Sequence, residues 1–114
     1  MALDQTKLTA TVQRLVGLLA SRGYADLEKL TDSIRMRAEE IEEAVSRYPG
    51  NVIPVLGSDD VNVVAINTPK EECWSVNVRL HTDAEGPSDL TMSLTLIQSS
   101  AAYYAAELDD IHVL

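Results

Sequence analysis

Trp74–His81 reads WSVNVRLH. Trp74, Val76, Val78 and Leu80 alternate with Ser75, Asn77, Arg79 and His81. That two-residue period is the mark of a strand with one buried face. The segment that follows repeats it. In DLTMSLTLIQ, Leu90, Met92, Leu94 and Leu96 alternate with Thr91, Ser93 and Thr95. Between the two lies TDAEGPSD, with Gly86-Pro87 at the turn. The pair predicts an antiparallel hairpin with an apolar face and a polar face.

Working outward, VNVVAI (Val61–Ile66) is a plausible strand before the hairpin, and YYAAELDDIHVL one after it. In the latter, Tyr104, Ala106 and Leu108 share a phase. Ile111 and Val113 have the opposite one. The slip falls at Asp109-Asp110, where one extra residue would make a β-bulge. Such a bulge would return Ile111 and Val113 to the core and turn His112 outward.

The first half has a different period. Leu8, Val12, Leu15, Val16 and Leu19 form one helical stripe. Asp4 or Thr6 suits its N-cap, and Gly23 a left-handed stop at its end. A short second helix would turn Tyr24, Leu27 and Leu30 inward, and TDSIRMR breaks the pattern. A third would bury Ala38, Ile41, Ala44, Val45 and Tyr48, with Glu39, Glu40, Glu42 and Glu43 mostly outward. Glu43 and Arg47 make an i,i+4 pair, and Pro49-Gly50 ends the helix. Val52, Ile53, Val55 and Leu56 of the connector are expected to pack down. The reading is a single α+β domain over residues 1–114, with a helical half at 1–50 and a sheet half at 60–114. Three helices cover one face of a four-stranded antiparallel meander.

The chain has 18 Asp and Glu against 9 Lys and Arg, a net charge of −9. Binding to nucleic acid or to anionic lipid is disfavoured, because neither tolerates this balance of charge. Cys73 is the only cysteine, so no internal disulfide or Cys-based zinc spacing exists. With no signal-peptide pattern at the start and no run of 18 apolar residues, a cytoplasmic protein that does not enter a membrane is expected.

With WSVNVRLHT, SDLTMSLTL and DDIHVL in view, the chain resembles a family of short, functionally uncharacterised bacterial proteins, in which a helical half precedes three such strands. That resemblance implies no activity, cofactor or catalytic residue. VQRLVGLLASRGYADLEKLT also looks like the opening of nuclear-transport-factor-2-like domains, which implies a curved sheet around a ligand pocket or active site. A pocket of that kind would be lined by Tyr24, Tyr48, Trp74 and Met92.

Two features invite chemistry. Hairpin pairing would set His81 opposite Asp89 and Arg79 opposite Thr91. Thr91 would lie near Asp109 and Ser93 near Glu107. A bulge would bring His112 near Asp89. His81, Asp89 and His112, with Asp83 and Asp110 nearby, would then share one sheet end as candidate metal ligands. A charged strand end that blunts an edge is the plainer reading. Cys73 lacks a positioned base and follows Glu71-Glu72, which speaks against a nucleophile. The glutamates of the third helix suit a solvated face, and Trp74 a core position.

The second feature is a whole face. Ser75, Asn77, Arg79, Thr91, Ser93, Thr95 and Glu107 would leave an open surface of small polar groups, suited to a protein partner or to a homodimer. The function expected is therefore a non-enzymatic protein-binding or accessory module, an immunity-type protein being one such case. The alternative is a small-ligand or enzyme domain.

Overall fold

The computed structural model describes residues 3–32, 35–66 and 72–114. Ser33 and Ile34 of the expected helix break, and Glu71 beside Cys73, lie outside them. Helix α1 spans Gln5–Ala20 and buries Leu8, Val12, Leu15, Val16 and Leu19. Each such aliphatic side chain contributes about 1.5–3 kcal/mol by leaving water. Asp4 is the cap, accepting from the Lys7 N–H at 3.1 Å. At the other end the left-handed residue is Arg22 (φ 61°), not Gly23. The Arg22 N–H reaches the Leu19 carbonyl and the Gly23 N–H the Leu18 carbonyl. This closure places the left-handed residue one position before the glycine. A Cβ at Gly23 would lie 3.2 Å from Leu18 Cδ2, a tight contact that the leucine side chain would have to yield to.

Helix α2 (Tyr24–Leu30) buries Leu27, and α3 (Ala38–Ser46) buries Ile41 and Val45. The Glu40 carboxylate caps the Arg37 N–H, and Glu43 pairs with Arg47. Gly50 ends the following turn at φ 87°. A Cβ there would meet Asp83 Oδ1 at 2.7 Å, so the left-handed backbone and the close carboxylate both demand glycine. That carboxylate accepts from the Asn51 N–H at 2.8 Å and from its Nδ2 at 3.0 Å, joining the helical half to the hairpin tip.

Among the described residues the sheet has five strands: β1 (Val52–Ile53), β2 (Val61–Ile66), β3 (Cys73–Thr82), β4 (Gly86–Ile97) and β5 (Ala105–Val113). β2 to β5 form the expected antiparallel meander. The connector supplies the unforeseen fifth strand. β1 pairs with the far end of β3, at Val52↔Thr82 and Ile53↔His81, while β2 pairs with the rest of the same edge. Val52 packs down as expected, Ile53 and Leu56 do so partly, and Val55 is exposed.

The inner face is the one the alternation named. Trp74, Val76, Val78, Leu80, Leu90, Met92, Leu94, Leu96 and Leu108 are all buried under the helices. Tyr104 ties the sheet to α1. Its ring packs on Trp74 with centroids 5.2 Å apart. Its hydroxyl accepts from the Asp4 N–H, and its own N–H donates to Thr11 Oγ1.

The expected bulge is present. Leu94 pairs with Leu108 and Ser93 with Asp110, which leaves Asp109 as the extra residue. Ile111 returns to the core, but Val113, at 60 % exposed, does not. It pairs with Leu90 at the sheet end on an edge strand.

Candidate functional site

The face of the sheet away from the helices is ordered in rows by the registers. Ile66, Cys73, Ile97 and Ala105 lie side by side at one end. Next come Val64, Ser75, Thr95 and Glu107, then Asn62, Asn77, Ser93 and Asp110. The last row holds Arg79, Thr91 and His112. The face therefore grades from apolar to charged along the strands. Sequence reading found its polar part. It missed the apolar end, because that end exists only once the register of β2 on β3 is known.

Arg79 is exposed, and no acidic side chain among the described residues pairs with it. It borders a hollow of about 370 Å³, lined also by Asp59, Asp60, Asn62, Asn77, Thr91 and His112. Of the six residues expected to meet a partner, Asn77 and Arg79 stand here with Thr91, which is buried rather than open, its hydroxyl donating to the Asp89 carbonyl. Ser93 and Thr95 are tied down beside it. The Ser93 hydroxyl donates to Asn77 Oδ1 and the Thr95 hydroxyl to Asp109 Oδ2, each at 2.7 Å. Glu107 lies opposite Thr95, beyond the hollow. Asn62 and Asp59 were missed. The signal for Asn62 was there, as the one polar residue in VNVVAI.

The Asp/His end takes a different form from the one expected. Arg79 does face Thr91, but His81 faces Pro87 rather than Asp89. The ladder is interrupted between Arg79 and His81, where the Ser88 hydroxyl donates to the Leu80 carbonyl and accepts from the Leu90 N–H. β5 is also displaced. Thr91 faces His112 instead of Asp109, Ser93 faces Asp110 instead of Glu107, and His112 does not reach Asp89. The segment before β5 decides this, since Tyr104 is anchored on α1.

His81 instead meets Asp60, Nε2 to Oδ2 at 2.6 Å, with both side chains largely buried. The same oxygen accepts from the Gly57 N–H and so closes the 3₁₀ turn Ser58–Asp60 that leads into β2. His112 stands 3.3 Å from Asp110 on its own strand. The Asp89 N–H donates to the Tyr48 hydroxyl. The four candidate ligands are thus divided among three separate settings. No group of three or more His, Cys, Asp or Glu poised for a metal occurs among the described residues.

Two titrations are displaced. The Asn51 N–H and amide hold the Asp83 carboxyl below its ordinary value. A hydrogen bond with Glu85 raises the Tyr48 phenol, against the lowering effect of the Asp89 N–H.

The pocket expected from Tyr24, Tyr48, Trp74 and Met92 does not form around those residues. Trp74 and Met92 are buried in the core. Tyr24 borders a surface hollow with Leu19, Arg22 and Glu42. Cys73 is buried on the outer face between Ile66 and Ile97.

The family model for a domain of unknown function, DUF7668, matches residues 16–114. The chain belongs to this family. The match takes in the last five residues of α1, both later helices and all of the described strands. No curated protein and no solved structure matches the chain. Nothing in these findings supports the likeness to nuclear-transport-factor-2-like domains. Among the described residues, no helix is long and apolar enough to cross a membrane.

Proposed function

We propose that this DUF7668 protein is a non-enzymatic protein-binding or accessory module of the cytoplasm, and that the outer face of its sheet is the contact surface. One observation carries the reading. The outer face joins exposed Val64 and Ile66 at one end to an exposed Arg79 at the other, which pairs with no acidic side chain among the described residues, across half-buried Asn77, Ser93 and Thr95. Exposed apolar residues rimmed by polar ones mark interaction surfaces. Arg79 supplies a planar, multidentate donor for a carboxylate or carbonyl of the partner. The surrounding acidic charge speeds encounter with a partner whose remaining surface is basic, as for an immunity-type protein. The small-ligand alternative has one observation in its favour, the hollow beside Arg79, whose lining of Asp59, Asn62 and Asn77 brings several polar groups together.

The test is a photo-crosslinking residue at Asn77, with a control at Glu42 on α3, in cells of the source organism. A discrete adduct at position 77, absent at 42 and lost in Arg79→Glu, is the expected result. Equal labelling at both positions, or none at 77, overturns the reading. Thermal stabilisation by small carboxylates that Arg79→Glu abolishes, without any protein adduct, would favour the ligand alternative.

A further inference from the structure

The two long edges of the sheet are built differently. β5 is guarded. It carries Glu107, Asp109 and Asp110, and the extra residue at Asp109 breaks its ladder. Charges and bulges of this kind prevent an edge from adding another strand. β2 has no such device. Val61–Ile66 reads VNVVAI, without a charge or a proline, and its six residues pair with β3 in unbroken register. Among the described residues no strand pairs with its other side. Val64 is 56 % and Ile66 36 % exposed on the outer face, and Ala65 is exposed on the inner one.

On the inner side, the hollow beside this edge is lined without charge. A hollow of about 500 Å³ separates Val61 and Val63 from Gln5 and Thr9 of α1. The exposed side of α1 continues as Gln5, Thr6, Thr9 and Gln13. The cations of α1 point elsewhere. Lys7 lies over the Tyr104 ring and Arg14 over Tyr103. In a chain with 24 % charged residues and a net charge of −9, the described residues of this strip, from Val61–Ile66 across the hollow to Gln5, Thr9 and Gln13, carry no charge, with Asp4 and Asp59 at its ends.

We infer that β2 is the seam of a homodimer, in which two copies pair their β2 strands antiparallel and bring their α1 helices together over the hollow. Charge selects the occupant. A second copy is as acidic as the first, so it is repelled from most of the surface and least of all from a neutral strip. A basic partner would gain nothing there and has acidic surfaces elsewhere. Symmetry limits the assembly. Antiparallel pairing of one strand with itself obeys a two-fold axis and closes. Addition of β2 to β5, which would grow without end, is blocked by the acidic bulged edge. Six residues of backbone pairing fall short of the roughly 1,200 Å² that a stable interface buries, and α1 supplies the remainder. The inference stands independently of the role given to Arg79.

The experiment is sedimentation equilibrium of the full chain at about 5–100 μM, with hydrogen exchange of the β2 amides over the same range. Wild type is expected at twice 12.5 kDa, with protection of Val61–Ile66 rising with concentration. Ala65→Lys and Thr9→Arg, both at exposed positions, should each weaken the dimer at least tenfold while keeping the wild-type circular dichroism. Arg79→Glu should remain a dimer, which separates this seam from the outer-face reading. A monomeric wild type at 100 μM overturns the inference. So does a dimer that survives the Ala65→Lys/Thr9→Arg double variant, or one that Arg79→Glu dissociates.

Discussion

Asp60 and His81 are joined by a hydrogen bond of 2.6 Å between Oδ2 and Nε2, although 21 residues separate them in the chain. The same Asp60 oxygen accepts from the Gly57 N–H at 2.6 Å, so one carboxylate oxygen ties the turn to the ring. The bond fixes the start of β2 against the end of β3, where β1 has just left the same edge.

This pair is structural, and its worth can be measured. Asp60→Ala and His81→Ala should each destabilise the fold. A double-mutant cycle in urea should give a coupling of about 1–2 kcal/mol, as expected for a largely buried hydrogen bond with a charged partner. In the same preparation, Zn²⁺ or Mn²⁺ should produce no rise in melting temperature that His81→Ala/His112→Ala removes. His81 and His112 sit opposite Pro87 and Thr91 of β4, four residues or ~13 Å apart along that strand, on opposite sides of it. A saturable, histidine-dependent stabilisation would restore the metal reading.

Acid should weaken the junction between Gly50-Asn51 and the hairpin tip. The folded state holds the Asp83 carboxyl below its ordinary value because Asn51 donates to it twice. A depressed carboxylate contributes stability that is complete above its unfolded value and lost as pH falls through its folded one. As pH falls below about 4, wild type should therefore lose more stability than Asp83→Asn, whereas near pH 7 the variant should be the weaker of the two. Parallel acid limbs in chemical denaturation would show that the Asn51 contact does not matter.

Residue 109 should be removable. Leu94↔Leu108 and Ser93↔Asp110 flank it, so its deletion leaves a regular ladder with Leu108 and Ile111 still facing the core. The lost contacts are the Thr95 hydrogen bond and the Arg35 ion pair at 3.8 Å, together about 1–2 kcal/mol. The deletion variant should fold, with a lower melting temperature. It should also associate beyond the wild-type state, because a straightened β5 is open to pairing. Light scattering and circular dichroism check both halves of this expectation. Loss of the fold would mean that the bulge is needed for closure of the sheet.

The sequence by itself determined the parts that depend on neighbours a few residues away. The α1 stripe, the faces of β3 and β4, the Asp109 slip and the Glu43–Arg47 pair all follow from side chains projecting at fixed periods from one local backbone. Tertiary structure decided what lies across the sheet. The Ser88 hydroxyl, bonded to Leu80, shifted His81 from Asp89 to Pro87. Tyr104, held by Thr11 from 93 residues away, displaced β5 and placed His112 opposite Thr91. The sharing of one β3 edge by β1 and β2 gave His81 its partner and put Val64 and Ile66 on the outer face. Such registers depend on closing loops and satisfying backbone groups over long separations. No local period encodes them.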